Sequence, residues 1–270
     1  MNVSMFQKAK TNIRFTLDLG RVFIFGGKPS QKEVNARRIE KVIKKLEPPR
    51  RYCSRLPAIV EEPFFVKVGA HDGVTGDPCS DILVAETRWK GLLIEPVPDL
   101  FQRLRQNFSD TRRFLLEQVA IGSASDEAIF YHVDPKAREH ITDLPRWFDQ
   151  LSSLDRNHIL KHLDGVLEPF ILESTVRILP LSALLEKHSI KTVHLLHIDA
   201  EGHDYEVLKT LDFARHAPVA IFVEHKHLSS PHRKEMRHLL HTHGYSVKDC
   251  GGDYFALDEK AEKRLERNAK

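Results

Sequence analysis

From Phe64 onward the chain alternates short, almost purely apolar runs with amphipathic segments, and this alternation restricts the fold more than any other feature. The runs are Phe64–Val68, Gly91–Glu95, Phe114–Ile121, Val193–Asp199 and Val219–Glu224. Between them, Pro78–Arg88, Pro98–Phe108, Leu181–Lys187, His203–Leu211 and Pro231–His243 carry helical spacing. Asp77 reads as the N-cap of the first of these, with Pro78 at its first position. A strand that is apolar at successive positions has to be covered on both faces, and a helix between two such strands makes them parallel. After the last helix, Tyr245–Lys248 and Tyr254–Leu257 flank Asp249-Cys250-Gly251-Gly252-Asp253, which predicts an antiparallel hairpin at one edge. The expected fold is therefore α/β, doubly wound, with a mostly parallel sheet and a C-terminal antiparallel hairpin.

Upstream, Ser30-Gln31-Lys32-Glu33 is a capping box that opens a helix through Val34, Ile39, Val42, Ile43 and Leu46, with Pro48-Pro49 as its expected stop. The organisation predicted is a basic helical N-terminal extension (1–62), a main domain (63–258) and a charged tail (259–270). Residues 135–173 break the strand–helix rhythm. Their segments Pro145–Phe148 and Leu154–His162 suggest helical pieces with polar faces, suited to covering a substrate.

Charge follows the same division. Residues 1–62 hold 14 Lys+Arg against 6 Asp+Glu, net +8, whereas the rest hold 27 against 32, net −5. A basic arm of this kind suits an anionic membrane surface, an acidic partner or a homodimer contact; a solvated helical face is the simplest account. No zinc finger or aromatic-interleaved basic patch points to nucleic acid. No apolar run approaches the roughly 20 residues of a membrane helix, and the N-terminus lacks the apolar core of a signal peptide. Cys53, Cys79 and Cys250 are odd in number and far apart, which argues against a disulfide framework and for a cytoplasmic setting.

Four places carry chemistry. Gly69-Ala70-His71-Asp72-Gly73 follows the first apolar run, and its small residues let the backbone approach a ligand closely. Its GxxxG spacing departs from the dinucleotide GxGxxG, whose middle glycine is here Ala70. Glu95 ends the second run 22 residues after Gly73, where a carboxylate can accept from both hydroxyls of a ribose. Together these signals point to a nucleoside-containing cofactor. At the end of the fourth run, Asp199 and Glu201 put two carboxylates beside Gly202, suited to a sulfonium cation or a metal. Asp204 and Glu206 read instead as acids complementing a helix N-terminus. Glu224-His225-Lys226-His227 ends the fifth run, and its imidazole or carboxylate is a candidate base for a substrate hydroxyl.

The strings FFVKVGAHDGVTGDP, GLLIEPVPDLFQRLRQNF, LLHIDAEGHDYEVLKTLDF and IFVEHKHLS, in this order within residues 63–258, resemble the FkbM family of S-adenosylmethionine-dependent methyltransferases. The resemblance implies a class I, Rossmann-like fold with a seven-stranded sheet, and S-adenosyl-L-methionine as cofactor. It implies that Gly69, Ala70 and Gly73 border the methionine moiety, that Glu95 holds the ribose and that Gln118 lies near the adenine. Asp199 and Glu201 would face the reacting methyl group and the acceptor. Ser153, Arg156, His158 and His162, in a block similar to a substrate-proximal segment of one subgroup, would grip a polar acceptor. Two positions depart from the family pattern: Lys67 stands where many methyltransferases carry an acid, and His71 where asparagine is common. A carboxylate for the amino-acid end of the cofactor then has to come from elsewhere, with Asp72 the nearest candidate.

The reaction so implied is O-methylation of a polar small molecule, sugar or glycan, with Asp199 or His225 as base and Glu224 orienting or sharing that role. A divalent ion on Asp199, Glu201 and Glu224 would be the other way to activate the hydroxyl; the metal-free arrangement is preferred. A nicotinamide-dependent Rossmann oxidoreductase is the nearest rival, opposed by Ala70, the Glu95-Pro96 strand end and the hairpin. A catalytically inactive methyltransferase fold serving as a binding module is opposed by the intact glycines and Glu95. A metal hydrolase lacks HExxH or a comparable ligand spacing.

Overall fold

The computed structural model describes residues 45–145 and 147–268. The chain divides between Glu40 and Lys41, and every described residue belongs to the second unit. The capping box at Ser30 and most of the basic arm, with the membrane and dimer roles considered for it, lie outside the described residues.

The strands, in chain order, are β1 (Phe64–Val68), β2 (Lys90–Ile94), β3 (Phe114–Glu117), β4 (Ala120–Ile121), β5 (Asp126–Val133), β6 (Ser152–Ser153), β7 (Ile171–Leu179), β8 (Leu195–Ile198), β9 (Ala220–Glu224), β10 (Ser246–Asp249) and β11 (Asp253–Leu257). The helices are α1 (described over 45–55), α2 (Ser80–Ala85), α3 (Pro98–Asn107), α4 (Ala137–His140), α5 (Arg156–Leu160), α6 (Leu181–Lys187), α7 (Asp204–Lys209), α8 (Phe213–His216), α9 (Ser230–Thr242) and α10 (Glu259–Asn268). Seven strands form one sheet in the order β10-β11-β9-β8-β1-β2-β3. Its pairs from β9 through β8, β1 and β2 to β3 are parallel, and only β11 and β10 run antiparallel. This is the doubly wound, mostly parallel sheet with a terminal hairpin that the apolar runs predict.

Side-chain parity builds two cores from these strands. Val66, Val68, Leu92, Ile94, Leu196, Ile198, Ile221 and Val223 pack on one face against Leu184 and Leu185 of α6, Val207 and Leu208 of α7, and Met236 and Leu240 of α9. Phe65, Leu93, Leu195 and Phe222 pack on the other against Tyr52 and Cys53 of α1, Leu83 of α2 and Leu104 of α3. Each such side chain contributes roughly 1.5–3 kcal/mol on leaving water, which is why an all-apolar strand settles only where both faces are covered.

Four expectations need correction. Pro48 and Pro49 do not end a helix, because residues 45–55 are helical through them. Tertiary contacts outweigh the local cost: Tyr52 and Cys53 are buried, the Tyr52 hydroxyl donates to the His194 carbonyl at 2.8 Å, and the Trp89 indole donates to the Cys53 carbonyl at 3.1 Å. Residues 45–62 thus belong to the domain and not to a separate extension. The tail is also part of it, since α10 lays Ala261 and Leu265 on the same core. Helix α2 covers Ser80–Ala85 and not Pro78–Arg88, although Asp77 still accepts from the amides of Cys79 and Ser80 at 2.6 and 2.9 Å.

The fourth correction concerns the third apolar run, which is two strands in two sheets. β3 ends at Glu117, and β4 pairs instead with β7 in a second, four-stranded sheet ordered β4-β7-β5-β6. The insertion is therefore larger than residues 135–173, because β5 and β7 form its stem over eight register pairs. Val133, Phe148, Leu151, Ile159 and Leu167 give it a small core of its own.

Candidate active site

The chain winds outward from β1 through β2 to β3, then returns to place β8 on the other side of β1. Where winding reverses in this way, the loops leaving the strand ends diverge and open a crevice. A cavity of about 170 Å³ lies there, lined by residues following β1 (Gly69, His71), β2 (Glu95, Pro96), β8 (Asp199, Glu201) and β9 (Lys226), with Val119 to Ile121, and with Gln150 and Ser152 to Leu154 of the insertion. The four chemistry-bearing places in the sequence therefore send residues to one cavity.

The β1 loop is shaped by its glycines. Gly69 has φ +73°, and a β-carbon there would lie 1.7 Å from the Asp199 carbonyl oxygen. Gly73, at φ +79°, packs on the Phe108 ring and does not line the cavity. Ala70 is buried beneath the loop and its amide, like that of Gly69, donates to the Ile94 carbonyl. Non-glycine residues His71 (φ 52°) and Glu201 (φ 48°) adopt the left-handed region, and both line the cavity. Such backbone costs an L-residue roughly 1–2 kcal/mol and tends to be retained at working sites.

Glu95 is buried, with one carboxylate oxygen accepting from the His71 amide at 2.7 Å and the other from the Val97 amide at 2.9 Å. Burial raises its pKa, and those two donors oppose the rise. Each oxygen keeps a second lone pair for a ligand. Asp72 is turned away: its carboxylate accepts from the amides of Val74 and Thr75 at 2.9 and 2.7 Å and from the Thr75 hydroxyl at 2.6 Å. It stabilises its own loop and does not line the cavity; the acids that line it beside the β1 loop are Glu95, on the His71 amide, and Asp77, paired with the buried Lys67. Gln118 is exposed and outside the cavity, because the chain changes sheets at that residue; its neighbours Val119, Ala120 and Ile121 supply that wall.

Carboxylates concentrate at the ends of β8 and β9. Oxygens of Asp199, Asp204 and Glu224 all lie within 4.8 Å of one another. Asp204 accepts from the amides of Ala200 and Gly202 at 2.8 and 3.0 Å, which fixes the loop after β8; burial and Asp199 push its pKa up to about 8. Burial and the neighbouring Glu201 likewise raise Asp199, whose Oδ1 is buried without a hydrogen-bond partner. Glu224 is pushed well up by burial and by Asp199, Asp204 and Glu201, and it forms an ion pair with Lys226.

His225 is the clearest misplacement among the expected residues. Strand parity turns it to the opposite face from Glu224 and Lys226, where its ring lies on Tyr254 at 4.0 Å between centroids. It does not line the cavity. Ser153 does, whereas Arg156 pairs with Glu168 on the surface at 3.2 Å and does not. His158 and His162 sit with His227, which the sequence reading named only within the cluster ending the fifth run, their ring centroids 5.0–5.3 Å apart. Reading parity through EHKH would have separated His225 from its neighbours. Nothing in the sequence would have shown that His227 meets the insertion.

The Methyltransferase FkbM domain model matches residues 67–247. The chain is similar to the crystal structure of methyltransferase FkbM from Methylobacillus flagellatus KT, with 14% identity and a TM-score of 0.45, covering 73% of this chain and 43% of that one. The chain thus spans less than half the length of that protein. It is also similar to precorrin-6y C5,15-methyltransferase from Geobacter metallireducens GS-15 (14% identity, TM-score 0.33, covering 84% of this chain and 78% of that one). A fibrillarin from Aeropyrum pernix with natively bound S-adenosyl-L-methionine gives 11% identity and a TM-score of 0.33, covering 74% and 67%. No curated protein matches. With the family model covering most of the α/β domain and its four motifs gathered at one cavity, the chain belongs to the FkbM methyltransferase domain family.

Proposed function

We propose that this chain is an S-adenosylmethionine-dependent methyltransferase that methylates a hydroxyl of a polar acceptor, a sugar or glycan being the class that suits it best. The observation that carries the reading is the Asp199 carboxylate, whose Oδ1 is buried. It has one oxygen without a partner and lines a cavity at the winding switch of a methyltransferase-family domain. The residues present fit the cofactor. Glu95 offers lone pairs suited to ribose hydroxyls, and Leu100, Val119, Ile121 and Phe130 give an apolar wall suited to adenine. Lys67 and Asp77 offer opposite charges suited to a zwitterionic amino-acid end.

When bound, S-adenosylmethionine supplies a methyl group already activated by its sulfonium. The chain's part is then alignment and proton removal. Asp199 accepts the acceptor's hydroxyl proton as its oxygen becomes a nucleophile; a carboxylate with a raised pKa is a stronger base once ionised. Glu201 adds negative charge beside that position, and Glu224 stands next to it, paired with Lys226. The insertion, through Ser153 and Leu154, excludes water and gives the acceptor a hydroxyl partner. The polar character of this wall, with Gln150, Ser152, Ser153 and Lys226, is what favours a sugar-like acceptor.

Isothermal titration with S-adenosylhomocysteine is the test. Micromolar or tighter binding is expected, weakened at least about tenfold, or 1.4 kcal/mol, in Glu95→Ala. A folded protein that binds no S-adenosylhomocysteine would remove the reading altogether.

A further inference from the structure

Glu201, which lines the cavity, lies with Glu224 and His227 so that their ligand atoms are all within 4.8 Å of one another. His227 Nε2 is 3.3 Å from Glu201 Oε2 and 3.9 Å from Glu224 Oε2. His158, carried in by the insertion, places its Nε2 3.5 Å from the same Glu201 oxygen. Glu201, Glu224 and His227 converge on one point while His158 approaches it from the Glu201 side, and His158 Nε2, Glu201 Oε2 and Glu224 Oε2 are all buried without a hydrogen-bond partner. The Glu224 side chain is only 2% exposed. Leaving such groups unpaired costs about 1–3 kcal/mol each, more when charged.

The spacing has a simple origin. Two ligand atoms each about 2.1 Å from a tetrahedral ion lie about 3.4 Å apart, and the observed separations run from 3.3 to 3.9 Å. Charge agrees with this. Asp199, Glu201 and Glu224 meet here with Lys226 as the neighbouring ammonium, and Lys226 occupies the other oxygen of Glu224, leaving Oε2 free. We propose that Glu201, Glu224 and His227 form a binding site for a divalent first-row transition ion of the zinc type, with His158, 3.5 Å from the Glu201 oxygen, drawn in as the fourth ligand when the ion binds. Two imidazoles with two carboxylates suit such an ion, whereas magnesium and calcium prefer all-oxygen shells.

The site joins the insertion to the ends of β8 and β9, so an ion there pins the substrate cover to the sheet. Glu201 also lines the cavity, which places the ion beside the acceptor. Binding stands on these side chains alone; its use in lowering the pKa of an acceptor hydroxyl rests on the methyl-transfer reading.

The test uses the full chain without an affinity tag, stripped of metal with a chelator and titrated with cobalt(II), then zinc. A visible d–d absorption band saturating at one equivalent, abolished by zinc but not by millimolar magnesium, is expected. His227→Ala and Glu224→Gln should each weaken zinc affinity at least tenfold. His158→Gln, on a short helix of the insertion, is the variant least able to disturb folding and should weaken it similarly. No band, or zinc affinity unchanged in His227→Ala and His158→Gln, would overturn the site. Titration with S-adenosylhomocysteine on the same samples keeps the two readings apart, since the metal site can fail while cofactor binding persists, and the reverse.

Discussion

Gly69 and Asp199 lock the loops after β1 and β8 together, since a β-carbon on Gly69 would sit 1.7 Å from the Asp199 carbonyl oxygen. The Asp199 amide in turn donates to the Val68 carbonyl at 3.0 Å. A methyl at position 69 forces backbone apart, and backbone cannot move aside as a side-chain tip can. Gly69→Ala should therefore cost about 3 kcal/mol or more, with loss of S-adenosylhomocysteine binding. Gly244 is the control: its φ is +87°, but nothing lies within 4 Å of an added β-carbon. Gly244→Ala should cost only the conformational penalty, about 1 kcal/mol. Equal losses in urea unfolding of the two variants would show that φ and not the contact sets the cost.

Lys67 and Asp77 form an ion pair whose side chains are 6% and 1% exposed, with His197 Nδ1 3.6 Å from the same carboxylate oxygen. Removing one partner leaves a buried charge without compensation, which typically costs about 3–5 kcal/mol. Lys67→Met should lose that much in urea unfolding. Adding Asp77→Asn should restore part of it, because asparagine keeps an acceptor for the Cys79 and Ser80 amides. A single variant within about 1 kcal/mol of wild type would mean that water or His197 already screens the pair.

The five parallel strands of the large sheet were readable because their residues are apolar at nearly every position, a pattern imposed by burial on both faces. β5 and β7 were not. Their faces alternate weakly, with exposed residues such as Glu127 and Glu173 beside half-buried ones, so neither strand stands out from a polar loop. Pro48 and Pro49 misled for a different reason: a local rule met the tertiary packing of Tyr52 and Cys53, and packing won. Within the site, positions fixed by strand ends, Glu95 and Asp199 among them, could be placed from sequence spacing. Asp72 and Gln118 could not, because a loop's own hydrogen bonds and a strand's change of sheet leave no periodic trace. His227 and His158 are 69 residues apart in sequence and meet only through the insertion's fold.

The proposed reaction assigns Asp199 to chemistry more than to cofactor affinity, through an Oδ1 that has no partner within the protein. Asp199→Asn preserves shape and removes the basic oxygen. Turnover should fall about 10²–10⁴-fold, the range for loss of a general base. The dissociation constant for S-adenosylhomocysteine should stay within a few-fold of wild type. The opposite pattern, intact turnover with weak binding, would make Asp199 a cofactor ligand.

His194 gives the fold a handle on pH away from the site. Its Nδ1 accepts from the Phe64 amide at 3.0 Å, which requires the neutral ring, and burial lowers its pKa to about 4. The unfolded chain, with an ordinary histidine pKa near 6.5, binds the proton first. Stability from this residue is therefore complete above about pH 6.5 and is lost as pH falls toward 4, with about 2–3 kcal/mol gone by pH 4.5. His194→Asn keeps an acceptor for the Phe64 amide but has nothing to titrate. Urea unfolding at pH 7.5 and pH 4.5 should show the variant losing about 2 kcal/mol less than wild type between the two, the remaining acid sensitivity coming from other buried histidines common to both. Parallel losses would mean that His194 does not set the acid sensitivity of the domain, which would then have to be sought at His227 and His162, where burial also depresses the imidazole pKa.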